Sequence, residues 1–177
     1  YAPDVSYYTT DVTRMFPANG TFSPRQREMY GIYLKFYQAL MSSIRPGPAA
    51  ESLANAHKKM TAIMETFTFT DPKIKEAAER FVAGYARPRN SFGHWLGMEA
   101  HDVAGANFDG VYLPGMMLTI EPALTIPDER IYIRLEDAIL ITATGYENLS
   151  GPLPMEMADI EKVMKEPGIA DLWKIGK

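Results

Sequence analysis

The spacing of apolar residues changes period part-way along the chain, and this change limits the fold more than any single motif. Between Ser23 and Gly84 the apolar residues recur at helical intervals; from His94 onward they alternate or form short strand-length runs. A helix start is written into Ser23, Pro24 and Gln26, which suit the N-cap, the first helical position and the return arm of a capping box. That helix is predicted to bury Met29, Tyr33, Phe36, Tyr37, Leu40 and Ile44, and Arg45-Pro46-Gly47-Pro48 is predicted to stop it. A second helix is expected over 49–65, a third from Asp71-Pro72 to Gly84, and a short closing one over 158–165. Strands are expected over 6–14, 115–121, 131–136 and 138–142, with Thr144-Gly145 as a turn. A strand, three helices and then a run of strands make an α+β chain, with helices packed on a mainly antiparallel sheet.

Strand parity brings out the residues that carry chemistry. Along 131–136, Ile131, Ile133 and Leu135 face one way, and Tyr132, Arg134 and Glu136 face the other. Met116, Leu118 and Ile120 likewise alternate with Met117, Thr119 and Glu121. Each strand thus sets a glutamate opposite its aliphatic face. Two buried glutamates side by side repel unless a cation lies between them. With Asp11 on the first strand and His94 in Gly93-His94-Trp95-Leu96-Gly97, the donor set is carboxylate plus imidazole. That set suits Mn, Co, Fe or Zn. Taken singly, each residue also has a plain reading: Asp11 on a strand edge, His94 structural, Glu121 and Glu136 facing water. Trp95 and Met116-Met117 read as core, and His57 as a surface residue beside Lys58 and Lys59.

Composition narrows the field. Of 177 residues, 46% are hydrophobic and 23% charged, as in globular domains. The net charge is −4 and no basic stripe appears, so nucleic acid is not an expected partner. No apolar run has the length of a membrane span, so no membrane association is expected. Without cysteine, any metal site must be built from histidine and carboxylates. The expected compartment is the cytoplasm, although a cysteine-free chain also fits the periplasm.

Four segments in order resemble the pita-bread metallopeptidases, the family of methionine aminopeptidase, aminopeptidase P and prolidase. Asp11-Val12-Thr13-Arg14 resembles its D-x-T-R segment, and Gly93 through His101-Asp102-Val103 its G-H-x-x-G…H-D segment. Pro114-Gly115-Met116 through Thr119-Ile120-Glu121-Pro122 resembles P-G-M-x-x-T-x-E-P. Arg134-Leu135-Glu136-Asp137, followed by Gly145 and Glu147-Asn148-Leu149, resembles the closing R-x-E-D…G-x-E-N-L. Trp95, Arg134 and His101-Asp102-Val103 favour the aminopeptidase P/prolidase branch. The resemblance implies a pita-bread fold and two divalent ions, manganese first, with Co, Zn and Fe as alternatives. It makes Asp11 and Glu136 bridging ligands, and gives His94 and Glu121 to one metal. His101 would bind the substrate near the scissile carbonyl, and Arg134 would orient Glu136. Glu121 would also act as general base. The implied substrate is a peptide with proline second.

The resemblance also sets expectations about extent. The family's first aspartate ligand would fall immediately before Tyr1, and the first half of the pita-bread domain would precede it. Residues 1–177 therefore read as the second half of a catalytic domain, expected to be inactive alone. They are expected to associate with the missing portion or with another copy. Asp4 is expected in the hairpin turn and not as a replacement ligand, because metal sites hold ligands to about 0.2 Å. The alternatives are a non-catalytic pita-bread interaction module and a metal-free creatinase-like hydrolase. Retention of His94, Glu121 and Glu136 argues against both.

Overall fold

The computed structural model describes residues 4–87, 91–102 and 110–168. The first part contains β1 (Asp4–Val5), β2 (Tyr8–Thr9), α1 (Pro24–Met41), β3 (Gly47–Pro48), α2 (Ala49–Thr66) and α3 (Pro72–Tyr85). The second contains β4 (Val111–Tyr112), β5 (Met117–Ile120), β6 (Ala123–Ile126), β7 (Ile131–Arg134), β8 (Asp137–Ile141), β9 (Tyr146–Asn148) and α4 (Met157–Val163). Every strand pair among the described residues is antiparallel, and the α+β expectation holds.

The helices form for the reasons their sequences give. The Ser23 hydroxyl accepts from the Gln26 amide at 3.3 Å, and the Gln26 side chain accepts from the Ser23 amide at 2.8 Å. Asp71 caps α3 by accepting from the Lys73 amide at 2.8 Å. α1 is the centre of the core: Tyr33, Phe36, Tyr37 and Leu40 are fully buried, and Met29 and Ile44 nearly so. α2 packs Leu53, Ala56 and Met60 inward, and α3 stacks Phe81 on Phe36 with ring centroids 5.3 Å apart. No helix among the described residues is long and apolar enough to cross a membrane.

The strands form several short ladders, and where they break is informative. β5 pairs with β8 and β6 pairs with β7. Ile120 faces Asp137, and Ala123 faces Arg134. Both ladders keep one register, so continuing it across the gap sets Glu121 opposite Glu136 and Pro122 opposite Leu135. The two ladders are one long ribbon, interrupted at the two glutamates. Pro122 has no amide to donate there. On the far edge of β5, Trp95 bridges Leu118; on the far side of Glu136, Thr13 forms a bridge.

Two expectations need correction. Residues 6–14 are not one strand. β1 and β2 form a tight hairpin, with Asp4 opposite Thr9 and Val5 opposite Tyr8. Ser6 and Tyr7 make its turn at φ 55° and 71°, left-handed values without the usual glycine or asparagine signal. Asp4 accordingly lies on β1 and not in the turn. α1 also ends earlier than the proline-rich stop, at Met41, where the Ser42 amide bonds back to Gln38 O at 2.9 Å.

Replacing Ser23 with alanine removes one arm of the capping box. The expected cost is about 1 kcal/mol in a urea melt, largely restored by Asn at the same position.

Candidate metal centre

Four backbone segments deliver the candidate ligands side by side. The 94–96 segment is held on β5: the Thr119 amide donates to His94 O at 2.9 Å, and the Leu96 amide to Met117 O at 3.3 Å. The His94 amide in turn donates to the Thr119 hydroxyl at 3.1 Å. Thr13 and Glu136 exchange backbone bonds of 3.2 and 3.0 Å, which places Asp11 beside β8. Gly93 is required by this closeness, since a Cβ there would lie 2.3 Å from Thr119 O. A Cβ on Gly97 would meet the Asp102 carboxylate at 1.8 Å, so that side chain would have to move.

His94 Nε2 is the focus. It lies 3.1 Å from Glu121 Oε1, 3.8 Å from Glu136 Oε1 and 3.9 Å from Asp11 Oδ2. His94 Nδ1 is 2.9 Å from Trp95 O. A carbonyl only accepts, so Nδ1 carries the proton of that bond, and Nε2 is left to face the carboxylates. The 3.1 Å approach to Glu121 lacks hydrogen-bond geometry: Nε2 and Glu136 Oε1 are both buried without a hydrogen-bond partner among the described residues. Two orphaned polar atoms aimed at one point are costly in a protein interior. A divalent cation between them would satisfy both. The donor set, one imidazole with its other nitrogen on a carbonyl plus three carboxylates, is one such cations accept.

The outer oxygens are already committed. Arg134 Nη1 donates to Glu121 Oε2 at 2.5 Å. Arg134 Nη2 lies 3.3 Å from Glu136 Oε2 and donates to the Thr13 hydroxyl at 3.0 Å. Thr13 completes the set by donating to Glu136 Oε2 at 2.6 Å. One guanidinium thus holds both carboxylates by their Oε2 atoms and leaves both Oε1 atoms toward His94. Burial works against the charge on Arg134, but Glu136 and Glu121 outweigh it, and its pKa is raised. For Glu136, burial is the largest influence and raises the carboxyl pKa; Thr13 and Arg134 oppose this, while Asp11 and Glu121 add to it.

His101 stands apart. It is exposed, with its ring centroid 4.1 Å from that of His94, and it shares a possible ligand cluster with Asp11 and His94. The Asp102 carboxylate accepts from the Met98 amide at 2.8 Å and so closes the turn that carries His101. Val103 lies outside the described residues. Sequence reading assigned no role to Thr13 or Thr119. Thr119 was detectable by parity, as the buried polar neighbour of Glu121 on one strand face.

A profile of metallopeptidase family M24 matches residues 1–143. The chain belongs to that family. It is 35% identical to Xaa-Pro aminopeptidase 2 of Streptomyces coelicolor over 178 aligned residues, covering 90% of this chain and 37% of the relative. Its fold matches Pseudomonas aeruginosa aminopeptidase PepP with a TM-score of 0.68 and 32% identity, over 91% of this chain and 39% of that one. It also matches zinc-substituted Escherichia coli aminopeptidase P in complex with product, with a TM-score of 0.63 and 31% identity, over 89% and 38%. The pita-bread expectation therefore holds. The M24 chain spans under two-fifths of the length of these relatives.

For the metal-free M24 chain the raised pKa of Glu136 has a definite sign. The folded state binds that proton more tightly than the unfolded state. The resulting stabilisation is present below the ordinary glutamate pKa and is lost as pH rises through the raised one. Glu136→Gln should therefore stabilise the chelator-treated protein near neutral pH, and the advantage should vanish toward pH 4. Urea midpoints at both pH values check this.

Proposed function

We propose that the protein containing this chain hydrolyses the bond after the N-terminal residue of peptides with proline second. Divalent cations would be held by Asp11, His94, Glu121 and Glu136. The observation that carries this reading is the convergence of His94 Nε2 with the Oε1 atoms of Glu121 and Glu136, two of these three atoms being buried and unpartnered. Xaa-Pro aminopeptidases among the relatives supply the substrate class.

A divalent cation in such a site supplies a nucleophile at neutral pH and polarises a carbonyl. The residues of the chain do the rest. By the family resemblance Asp11 and Glu136 would be the shared ligands, with His94 and Glu121 completing one position. Manganese is the first expectation, with Co, Zn or Fe as alternatives. Glu121, with its Oε2 fixed by Arg134, would take the proton of the attacking water and return it to the proline nitrogen as the C–N bond breaks. His101, exposed beside His94, donates to the carbonyl oxygen as its charge develops. A cavity of about 400 Å³, lined by Arg80, Tyr85, Phe92, Glu121, Ala123 and Thr125, opens beside Glu121 and gives the peptide room.

The test is hydrolysis of Xaa-Pro peptides by the full-length gene product, loaded in turn with Mn, Co, Zn and Fe. Activity with none of them overturns the reading. His94→Ala should lose bound metal and activity together, beyond the roughly 10–100-fold that outer partners of a metal carry. His101→Ala should keep its metal while kcat falls about 100- to 1,000-fold.

A further inference from the structure

The break in the β5–β8/β6–β7 ribbon has a visible cause. Tyr33, in the middle of α1, is fully buried, and its hydroxyl enters the ladder from the core side. It accepts from the Leu135 amide at 2.7 Å and donates to Pro122 O at 2.7 Å. In the common register of the two ladders, Leu135 lies opposite Pro122. Their N–H and C=O both reach the same oxygen, so they point toward each other. Without that oxygen they would form the direct interstrand bond. The neighbouring pair in the register is Glu121 and Glu136.

We infer that Tyr33 is a positioning residue for the metal centre: its hydroxyl replaces one ladder hydrogen bond and so sets the separation of Glu121 and Glu136. This rests on the metal reading above. Directly opposed residues on closed antiparallel strands bring their side chains together, and like charges placed so repel. Inserting one oxygen into the ladder moves the strands apart at this pair, while the ladders on either side keep their register. Arg134 then reaches both Oε2 atoms, and both Oε1 atoms stay clear of each other around His94 Nε2. The hydroxyl also satisfies the Leu135 amide, which Pro122 O would otherwise have to reach directly. Burial raises the Tyr33 hydroxyl pKa, so it stays a neutral donor and acceptor.

Tyr30 provides the control. It lies on the same helix, is buried, and donates to Met155 O at 2.7 Å, away from the ribbon. Tyr33→Phe and Tyr30→Phe each remove one buried hydroxyl and should cost similar stability. Affinity for Mn²⁺ alone, measured by calorimetry on the full-length protein, should fall about 10–100-fold in Tyr33→Phe and stay at the wild-type value in Tyr30→Phe. The visible absorption of bound Co²⁺ should change in Tyr33→Phe only, because it reports ligand geometry. Equal affinity and equal spectra in the two variants would overturn the inference and leave the metal reading intact. A wild type that binds neither ion overturns the metal reading itself. A further measurement needs no variant. The Leu135 amide and Tyr33 hydroxyl proton resonances should move when Zn²⁺ is added, and resonances indifferent to saturating Zn²⁺ would sink the inference.

Discussion

Two carboxylates set opposite each other on paired strands repel, and the arrangement around Glu121 and Glu136 answers that repulsion from every side. Arg134 draws the Oε2 atoms outward, and His94 faces the Oε1 atoms. Thr13 and Thr119 add hydroxyl contacts of 2.6 Å to Glu136 and 3.4 Å to Glu121. The described residues alone do not complete the balance, since His94 Nε2 and Glu136 Oε1 find no hydrogen-bond partner among them. In a close-packed interior such a deficit persists only where something else completes it or where strain has a use.

The strand that carries Glu136 is fixed by the residue after it. Successive side chains on a strand point to opposite faces, so Asp137 turns into the core as Glu136 turns to the site. Asp137 is fully buried, with Arg14 Nη2 at 2.5 Å, the Ser150 hydroxyl at 2.7 Å and the Tyr37 hydroxyl at 2.6 Å. Arg14 also donates to Glu136 O at 2.8 Å. A buried ion pair adds little net stability over an apolar pair, but removing one partner is costly because the other charge is stranded. The value of Arg14–Asp137 is therefore one of placement. It locks the segment bearing Asp11 and Thr13 onto the strand bearing Glu136.

Much of this was legible in the sequence, for reasons that can be named. Ser23-Pro24 and Asp71-Pro72 mark helix starts by chemistry that depends on a few neighbouring residues. Parity put Glu121 and Glu136 each on the face away from its aliphatic neighbours, because a period of two leaves no third option. The ordered motifs pointed to the family, and the resemblance supplied the candidate ligands. What stayed hidden depends on side chains meeting across long sequence distances. Nothing local says that Tyr33 enters the ladder between Pro122 and Leu135, since a helical tyrosine at core spacing reads as packing. The hairpin turn at Ser6-Tyr7 was missed because neither residue advertises a left-handed backbone. Arg14 and Asp137 lie inside the family motifs, but their pairing is set only by the fold.

The contrast between His94 and His101 follows from how each is carried. His94 lies on backbone paired to β5, its ring held by Trp95 O and its approach permitted by Gly93. His101 lies in an exposed turn closed by Asp102 on the Met98 amide and by the Asp102 amide on Trp95 O at 3.2 Å. The Thr9 amide ties this turn to the first hairpin through Gly97 O at 2.7 Å. A group that holds a cation needs fixed geometry, which ladders supply. A group that meets a substrate must also let it enter and leave, which suits an exposed turn on a rigid base. On the metal reading, the placement of the two histidines follows this division, although their rings are only 4.1 Å apart.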